Sequence, residues 1–354
     1  MTDGGGGLTN QIFSLINGII AAYKQGYKCV VVDGLCDDVF KRPQTYSRIS
    51  NIFNINAINE FLKKKYDIII VDKYNVNFKL LSVTYGQNST YIDLTENIIN
   101  KFYQYNKLYI SKNTCFNDIN GDPCFGVPKK IIFKYEINDN YVEEVFNESL
   151  NEDFIIDFDI NARFWFAWIH HLDINMFESI LPNIIYADSF IDKSKMAIEN
   201  IVSQSVSKKI NCIHLRIEDD IVKSLSNICK LTHAEIKILL EYKYMYLIQK
   251  YLSPSDDIVI LAASISNRVI GFLDNNNYKY RFVDKYYEDR EKNAIIDLLI
   301  SKCCNNYFIG AFNVNLLTGS TFSYYAGKCM PDNVTQIYYD PNDICKPEIV
   351  IDKT

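Results

Sequence analysis

One short segment concentrates side chains that could bind an anion. A strand-like apolar run over residues 210–213 ends in His214, Arg216, Glu218 and Asp219. The ligand crevice of an open α/β sheet lies beyond the carboxyl ends of its strands, so an Arg at this point could direct two donors at a diphosphate, which Lys cannot do. The acids are candidates for a general base or for holding the Arg side chain. The alternative is a solvated loop that carries charges.

A glycine block stands at a predicted helix start. Glycines at 4–7, among them Gly6 and Gly7, precede a predicted helix over 8–25, where unpaired backbone N–H groups and the helix dipole favour a polar or anionic ligand. The block does not match the GxGxxG fingerprint, because Asn10 stands where the third Gly belongs, and no GK[ST] follows for a Walker loop. The alternative is a flexible N-terminal tail.

A second block of small residues lies near the C-terminus and follows a predicted strand over 307–309. Its hydroxyl groups and the amides of a helix start suit phosphate oxygens, although a plain N-cap needs only one Ser or Thr. The residues of this block are Gly319, Ser320, Thr321, Phe322 and Ser323.

The apolar periodicity predicts alternating strands and helices that bring these blocks to strand ends. Strands predicted at 28–33 and 67–72 flank a helical segment, which indicates a βαβ unit. The second half alternates more regularly, which indicates a parallel sheet with helices on both faces. Its predicted strands are 209–215, 257–262, 279–283 and 307–309, and its predicted helices are 193–203, 232–251, 267–274, 290–303 and 319 to about 327.

The middle of the chain is less regular. Residues 74–138 carry turn signals and predict an insertion of loops and short strands. Residues 161–182 are dense in aromatic side chains and predict a packed helical bridge. Within that bridge, His170 and His171 are interpreted as core residues rather than ligands.

Length and composition set further bounds. A chain of 354 residues is long for one domain, and we expect two, over 1–185 and 186–354. The net charge of −6 argues against a general nucleic-acid or membrane-surface binder. No apolar run is long enough to span a bilayer, and the start of the sequence lacks the pattern of a signal peptide, which predicts a cytoplasmic protein without stable membrane insertion.

The cysteine and histidine content predicts neither disulfides nor a metal centre. The ten cysteines are scattered through a chain without a secretory signal, which favours reduced and mostly buried thiols. Neither a CxxC pair nor an HExxH motif is present, and the chain has only four histidines. We therefore expect no protein-bound metal and no cofactor.

Three blocks together resemble the superfamily of GDP-fucose-dependent α1,2-, α1,6- and protein O-fucosyltransferases. The segment His214-Leu215-Arg216-Ile217-Glu218-Asp219 is similar to its HxRxxD-type motif, and closer to the HLR form than to HxRRGD. Residues 6–13 are similar to its GGLGNQ-F loop, and residues 308–310 with 319–323 resemble its F-I-G…S-T-F-S block. The three blocks stand in the same order as in the superfamily.

The resemblance implies an α/β, GT-B-like fold with two Rossmann-like domains that face each other across a cleft. The N-terminal domain, with its loop insertion, would lie on the acceptor side, and the C-terminal domain would bind the nucleotide-sugar. The implied activity is an inverting, metal-independent transfer of fucose, or a related sugar, from a GDP-sugar to a hydroxyl group of a glycan or glycoprotein.

The resemblance also implies roles for individual residues. Arg216 would bind the β-phosphate with the support of His214, and Glu218 or Asp219 would act as the base. Where the family often carries an acidic residue after its mid-domain strand, this chain has Ser264. The implied nucleotide-sugar-binding residues are Gly6, Gly7, Asn10, His214, Arg216, Ser264, Asp297, Gly319, Ser320, Thr321, Phe322 and Ser323.

Other functions stay open on the sequence. The absence of a Golgi-type anchor predicts a bacterial-type or viral cytoplasmic enzyme, acting in the host cytoplasm in the viral case. The alternative to an enzyme is a catalytically inactive GT-B-fold module that binds a glycan or a nucleotide. An NAD-dependent oxidoreductase is disfavoured, since the dinucleotide fingerprint fails.

Overall fold

The computed structural model describes residues 7–32, 34–37, 45–75, 77–104, 107–148, 150, 152–157 and 173–352. The helices formed by these residues are α1 (Leu8–Lys24), α2 (Ile49–Ile52), α3 (Ile55–Tyr66), α4 (Thr95–Phe102), α5 (Asn117–Asn120), α6 (Ile174–Ile180), α7 (Asp188–Gln204), α8 (Asp219–Cys229), α9 (His233–Tyr251), α10 (Asn267–Asn275), α11 (Arg290–Ile300) and α12 (Thr321–Lys328). Short 3₁₀ helices cover Lys73–Asn75, Leu181–Asn183 and Ser301–Cys303.

The strands carry most of the remaining regular structure. They are β1 (Cys29–Val32), β2 (Leu35–Cys36), β3 (Tyr46–Ser47), β4 (Ile69–Asp72), β5 (Phe78–Gln87), β6 (Thr90–Asp93), β7 (Tyr103–Gln104), β8 (Lys107–Ile110), β9 (Lys130–Ile137), β10 (Asn140–Asn147), β11 (Phe154–Asp157), β12 (Ile210–His214), β13 (Asp257–Leu261), β14 (Lys279–Phe282), β15 (Tyr307–Asn313), β16 (Thr318–Gly319), β17 (Thr335–Tyr339) and β18 (Ile349–Ile351). Helices and strands are mixed, so the predicted α/β class is confirmed.

The chain folds into two compact units that are each assembled from separate segments. The first unit takes Cys29–Asp33 and Ile69–Arg163, together with Met1, and the second takes Thr2–Lys28, Gly34–Ile68 and Phe164–Thr354. These units do not follow the boundary predicted at residue 185, because α1 packs with α6, α11 and α12 of the second unit. The two-domain assignment of 1–185 and 186–354 stays a prediction.

The first unit is built mainly from antiparallel strands. Its largest sheet has the order β10-β9-β5-β6, and β1 pairs with β4 in parallel, as the predicted βαβ arrangement requires. The prediction of loops and short strands over 74–138 is wrong, since β5 and β9 are long paired strands, with one irregularity in β5 between Leu80 and Ser82. The signal that was missed is the two-residue period of β9, whose residues Ile131, Phe133, Tyr135 and Ile137 are all buried in the core of this unit.

The second unit contains the parallel sheet that the sequence predicted. Its strand order is β14-β13-β12-β15-β17-β18, with every neighbouring pair parallel except the antiparallel edge strand β18. Counted along the chain, the five parallel strands have the order 3-2-1-4-5 of a doubly wound sheet. The strand order reverses between β12 and β15, and ligands of such sheets bind beyond the carboxyl ends of the strands at this point.

Both faces of this sheet are covered, and all residues of β12 and β13 are buried. One face packs in a core cluster with α8, α9 and α10, to which β12 contributes Ile213 and α9 contributes Leu240, Tyr244 and Leu247. Helix α12 packs on β15, and α7 and α1 pack on α11.

Local sequence signals explain where several of these helices begin. Thr232 and Glu235 form the predicted capping box of α9, and the side chain of Ser266 caps α10. Helix α8 was not predicted, because the acids at 218–220 were interpreted only as a charged strand end. They stand instead at the N-cap and in the first turn of α8, where the helix dipole favours negative charge.

Membrane-spanning segments and cysteine pairing are two further features that the sequence addressed. None of the helices in the described ranges is long and apolar enough to cross a membrane. All ten cysteines are described, and all ten are free thiols. The prediction of buried thiols is confirmed for Cys212, Cys303 and Cys304. It is wrong for three cysteines that are exposed, namely Cys115, Cys229 and Cys345.

Candidate functional site

The turn between β12 and α8 carries the charged residues of the central motif. His214 is the last residue of β12, and the half-buried Arg216 follows the strand end by two residues. The Arg216 Nη1 atom donates to Glu218 Oε2 at 2.8 Å, and Glu218 occupies the N-cap position of α8. Asp219 is the exposed first residue of that helix. Glu218 therefore holds the guanidinium group, which is one of the two roles the sequence allowed for the acids.

His214 is a buried and neutral histidine. Its Nδ1 atom lies 2.7 Å from Ser323 Oγ, and its ring packs on that of Phe322 with a centroid distance of 4.5 Å. Burial, with a smaller contribution from the charge of Arg216, lowers the pKa of His214 to about 3. The imidazole is thus uncharged at neutral pH and adds no positive charge beside Arg216.

The start of α12 holds the Ser/Thr block, and its hydroxyl groups already have partners. The Ser320 side chain caps the helix by accepting from the Ser323 N–H at 3.3 Å, and Ser323 Oγ accepts from Ala311 N–H at 3.0 Å. Thr321 Oγ1 donates to Asn10 Oδ1 at 2.7 Å. Each hydroxyl group thus bonds within the protein, although Ser320 only accepts there, and a role of these side chains in phosphate binding stays a prediction.

The amides at the start of α12 differ from these hydroxyl groups. Among the described residues, the backbone N–H groups of Thr321 and Phe322 have no hydrogen-bond acceptor. The first amides of a helix cannot bond within it, and the helix dipole makes their end positive. The anion-binding capacity of this block lies in these two amides, beside the His214 ring.

Gly319 introduces the block with backbone geometry that requires glycine. Its φ of +119° is in a region that other residues rarely adopt, and a Cβ atom there would lie 2.9 Å from Pro341 Cγ and 3.1 Å from the Ala311 carbonyl oxygen. The Ser320 N–H donates to that same Ala311 carbonyl at 2.9 Å. The role of Gly319 is thus to allow the backbone conformation that leads into α12.

The backbone amide that follows Gly7, at the start of α1, is bonded to a carboxylate of the same chain. The Leu8 N–H donates to Oε2 of Glu291, a residue that is only 3% exposed and lies in the first turn of α11. Glu291 also forms an ion pair with Arg290 at 3.4 Å. A Cβ atom on Gly7 would lie 3.3 Å from Glu291 Oε2, so the glycine allows the close approach of this carboxylate, and its role in nucleotide-sugar binding stays a prediction.

The side chains of the first turn of α1 contact α12. Asn10 accepts the hydrogen bond from Thr321, and Thr9 Oγ1 lies 2.8 Å from Thr321 Oγ1. Gln11 bonds to both the N–H and the carbonyl group of Cys36, which anchors the helix on β2. Asn10 was predicted as a binding residue, and it stands next to the start of α12.

The other predicted site residues have no contact that links them to the motif in the described part of the structure. Ser264 is exposed in the loop after β13. Asp297 is partly buried on α11, and burial raises its pKa to about 7 against the opposing charge of Lys285. Gly6, His170 and His171 lie outside the described residues.

One residue that shapes the site gave no signal in the sequence. Tyr244 lies on α9, and its hydroxyl accepts from the Arg216 N–H at 2.8 Å and donates to the His214 carbonyl at 2.6 Å. Its position in an apolar helix pattern is typical of a core residue, and only the fold shows that it touches the motif. Glu291 was missed for a similar reason, since 283 residues separate it from Leu8.

The three motif blocks therefore meet within the second unit. Asn10 of the first block contacts Thr321 of the third, and Phe322 and Ser323 of the third contact His214 of the second. The meeting point lies where the strand order reverses between β12 and β15. Ligands of doubly wound sheets bind at this point, and helix-start amides beside an Arg can bind an anion there.

Comparison with known proteins gives structural neighbours but no sequence family. The chain matches no protein-family model and no curated protein. POFUT1 in complex with GDP-fucose matches with a TM-score of 0.46 and 10% identity over 94% of both chains. The fucosyltransferase NodZ from Bradyrhizobium matches with a TM-score of 0.31 and 16% identity over 52% of this chain and 53% of its own. NodZ alpha-1,6-fucosyltransferase co-crystallized with GDP gives a TM-score of 0.31 and 17% identity over 51% and 52%.

These neighbours are fucosyltransferases, the class that the three sequence blocks resemble, but all three TM-scores lie below 0.5. At these identities and TM-scores the likeness is distant.

Proposed function

We propose that the protein is an inverting, metal-independent glycosyltransferase that transfers fucose, or a related deoxysugar, from a GDP-sugar to a hydroxyl group of a glycan or glycoprotein. The observation that supports this proposal is the meeting of Arg216, neutral His214 and the α12 amides where the strand order reverses. The proposal includes a GT-B-like arrangement of two Rossmann-like domains across a cleft, with the donor held by the C-terminal one.

Arg216 would stabilise the GDP leaving group. When the bond between the sugar and the β-phosphate breaks, negative charge develops on the diphosphate. A guanidinium group and two helix-start amides would stabilise this charge more strongly in the transition state than in the ground state. Glu218 contacts the guanidinium through Nη1 and orients it. The fixed cation supplies the charge that a divalent metal supplies in other glycosyl transfers.

His214 would donate a hydrogen bond to the same diphosphate. Because Ser323 Oγ accepts from the Ala311 N–H, its own proton is available to His214 Nδ1. The proposal assigns this proton to the bond with Nδ1, which places the ring proton of the neutral histidine on Nε2 and makes that atom a donor. Phe322 packs on the ring and fixes its plane.

A general base has to remove the proton of the acceptor hydroxyl. Glu218 is engaged by Arg216 at 2.8 Å, whereas Asp219 is exposed beside it at the start of α8. Asp219 is therefore the first candidate for the base, and Glu218 is the second.

Calorimetry with GDP, UDP and their sugars, followed by a transfer assay with GDP-fucose, tests the proposal. We expect GDP to bind and sugar transfer to persist in EDTA. Transfer that is abolished by EDTA would contradict the metal-independent mechanism. Absence of nucleotide binding at millimolar concentration would contradict the site. Binding of GDP without transfer to any glycan acceptor would favour the alternative of an inactive binding module.

A further inference from the structure

A tyrosine side chain holds the turn that carries Arg216. Tyr244 lies on α9, in the core cluster that packs against one face of the sheet, and it is fully buried. Its hydroxyl oxygen accepts from the Arg216 N–H at 2.8 Å, and its proton is donated to the His214 carbonyl oxygen at 2.6 Å. One hydroxyl group thus bridges the two residues on either side of Leu215.

We propose that Tyr244 is a positioning residue for diphosphate binding, because its hydroxyl fixes the backbone from which His214 and Arg216 project. This inference rests on the proposed function, in which both side chains contact the diphosphate. Tyr244 itself contacts only the protein and acts through these two residues.

The strand alone does not fix this turn. Leu215 is the last residue here whose N–H bonds to the neighbouring strand, donating to the Leu261 carbonyl at 2.9 Å. At Arg216 the hydroxyl of Tyr244 takes the place of a strand partner. A buried backbone group without a partner is costly, so loss of this hydroxyl would favour another path of the turn.

The hydroxyl group is itself held in place. Tyr339 of β17 donates to it at 3.3 Å, and the two rings pack edge to face with a centroid distance of 5.3 Å. Burial raises the pKa of Tyr244, so the group stays protonated and keeps its donor role. Two accepted bonds and one donated bond use the full capacity of the hydroxyl.

A matched pair of variants separates positioning from packing. Tyr244→Phe keeps the ring and removes the bridging hydroxyl, whereas Tyr339→Phe removes an equally buried hydroxyl that does not bond to the motif backbone. We expect Tyr244→Phe to weaken GDP binding about tenfold and Tyr339→Phe to weaken it less than about threefold. Equal losses in the two variants would overturn the proposal.

A double-mutant cycle tests whether Tyr244 acts through Arg216. In an Arg216→Ala background, we expect Tyr244→Phe to weaken GDP binding by less than about threefold, because the charged one of the two side chains that it positions is absent. An undiminished tenfold effect would overturn the proposal. If the wild-type protein binds no GDP, the proposed function fails as well. If the wild-type protein binds GDP and Tyr244→Phe binds it equally well, only the positioning role fails.

Hydrogen exchange of the wild-type protein gives a readout that does not depend on the folding of a variant. The proposal predicts that the Arg216 N–H exchanges as slowly as the amides of β12, although it lies beyond the strand. Fast exchange at Arg216 with slow exchange in β12 would show that the bridge does not hold the turn, and would overturn the proposal.

Discussion

Two helix starts with similar sequence chemistry differ in what occupies them. The N-terminus of α1 follows a glycine loop, but the carboxylate of Glu291 accepts from the Leu8 N–H. The N-terminus of α12 follows Gly319, and the amides of Thr321 and Phe322 have no acceptor among the described residues. At the first terminus the Leu8 N–H is bonded by the protein itself, whereas at the second the first two helical amides are both left for an anionic ligand.

The difference shows that a glycine-rich helix start can have a structural role at a functional site. Glu291 binds the first turn of α1, and that turn places Asn10 against Thr321 at the start of α12. The α1 terminus would therefore support the ligand site without binding phosphate. The following predictions test this division, from the largest expected effect to the smallest.

The largest effect is expected for Arg216, the cationic residue of the motif. Arg216→Ala should lower kcat/KM for sugar transfer by about 10²- to 10³-fold, because the charge on the departing diphosphate loses its stabilising group. A suitable control is Arg281→Ala, since Arg281 is similarly buried and pairs with Asp257 at 3.4 Å at the first residue of β13. Near-normal activity of Arg216→Ala, with the fold intact by circular dichroism, would refute the site.

The second prediction concerns the pH dependence of stability, to which His214 and Asp297 contribute with opposite signs. The pKa of His214 falls from 6.5 to about 3, so the unfolded state binds more protons between these values and stability falls as the pH falls. The pKa of Asp297 rises from 3.8 to about 7, so the folded state binds more protons in that window and stability rises as the pH falls.

Single variants separate these contributions. Between pH 7 and 5, Asp297→Asn should lose about 2 kcal/mol of unfolding free energy relative to wild type, and His214→Gln should gain about 2 kcal/mol. Urea denaturation at both pH values measures the two slopes. Slopes of the same sign in both variants would contradict the assignment of a neutral His214 beside α12.

The third prediction tests the α12 amides directly. Thr321→Pro removes one amide at the first helical position, where proline is tolerated, and the extended φ and ψ of Ser320 (−74° and 113°) suit a residue before proline. Thr321→Ala removes the hydroxyl that bonds to Asn10, together with the side-chain methyl group, and keeps the backbone amide. We expect Thr321→Pro to bind GDP about tenfold more weakly than Thr321→Ala in calorimetry. Identical affinities would mean that the amide is not a phosphate donor.

The smallest effect is expected at the α1 terminus. Glu291→Gln removes the negative charge beside the Leu8 N–H and should lower the free energy of unfolding by about 1 kcal/mol. GDP affinity should change by less than about threefold, because this terminus does not contact the ligand in our account. A tenfold gain or loss in GDP affinity would place the ligand at α1 and reverse the comparison.

The sequence predicted four of the five parallel strands of the second unit, and it missed β17. The strands of this unit are short apolar runs between helices whose starts carry caps, as at Thr232. Helix α8 was missed because its acidic first turn directly follows a strand. The acids were therefore interpreted as catalytic residues and not as the start of a helix. The long strand β9 was missed because its two-residue period lies among turn signals.

The blocks of the candidate site could be found by their residue types, but their partners could not. Glu291 and Tyr244 are distant in sequence from Leu8 and Arg216, and both contacts depend on tertiary packing. The internal hydrogen bonds of the Ser/Thr block were equally hidden, since a hydroxyl that binds phosphate and one that caps a helix have the same letter in the sequence.

A crystal structure with bound GDP tests the central claim most directly. We predict diphosphate oxygens within about 3 Å of the Thr321 and Phe322 amides and of the Arg216 guanidinium group, with the Leu8 N–H still bonded to Glu291. A diphosphate at the start of α1 that displaces the Glu291 carboxylate, with the α12 amides unoccupied, would contradict the account.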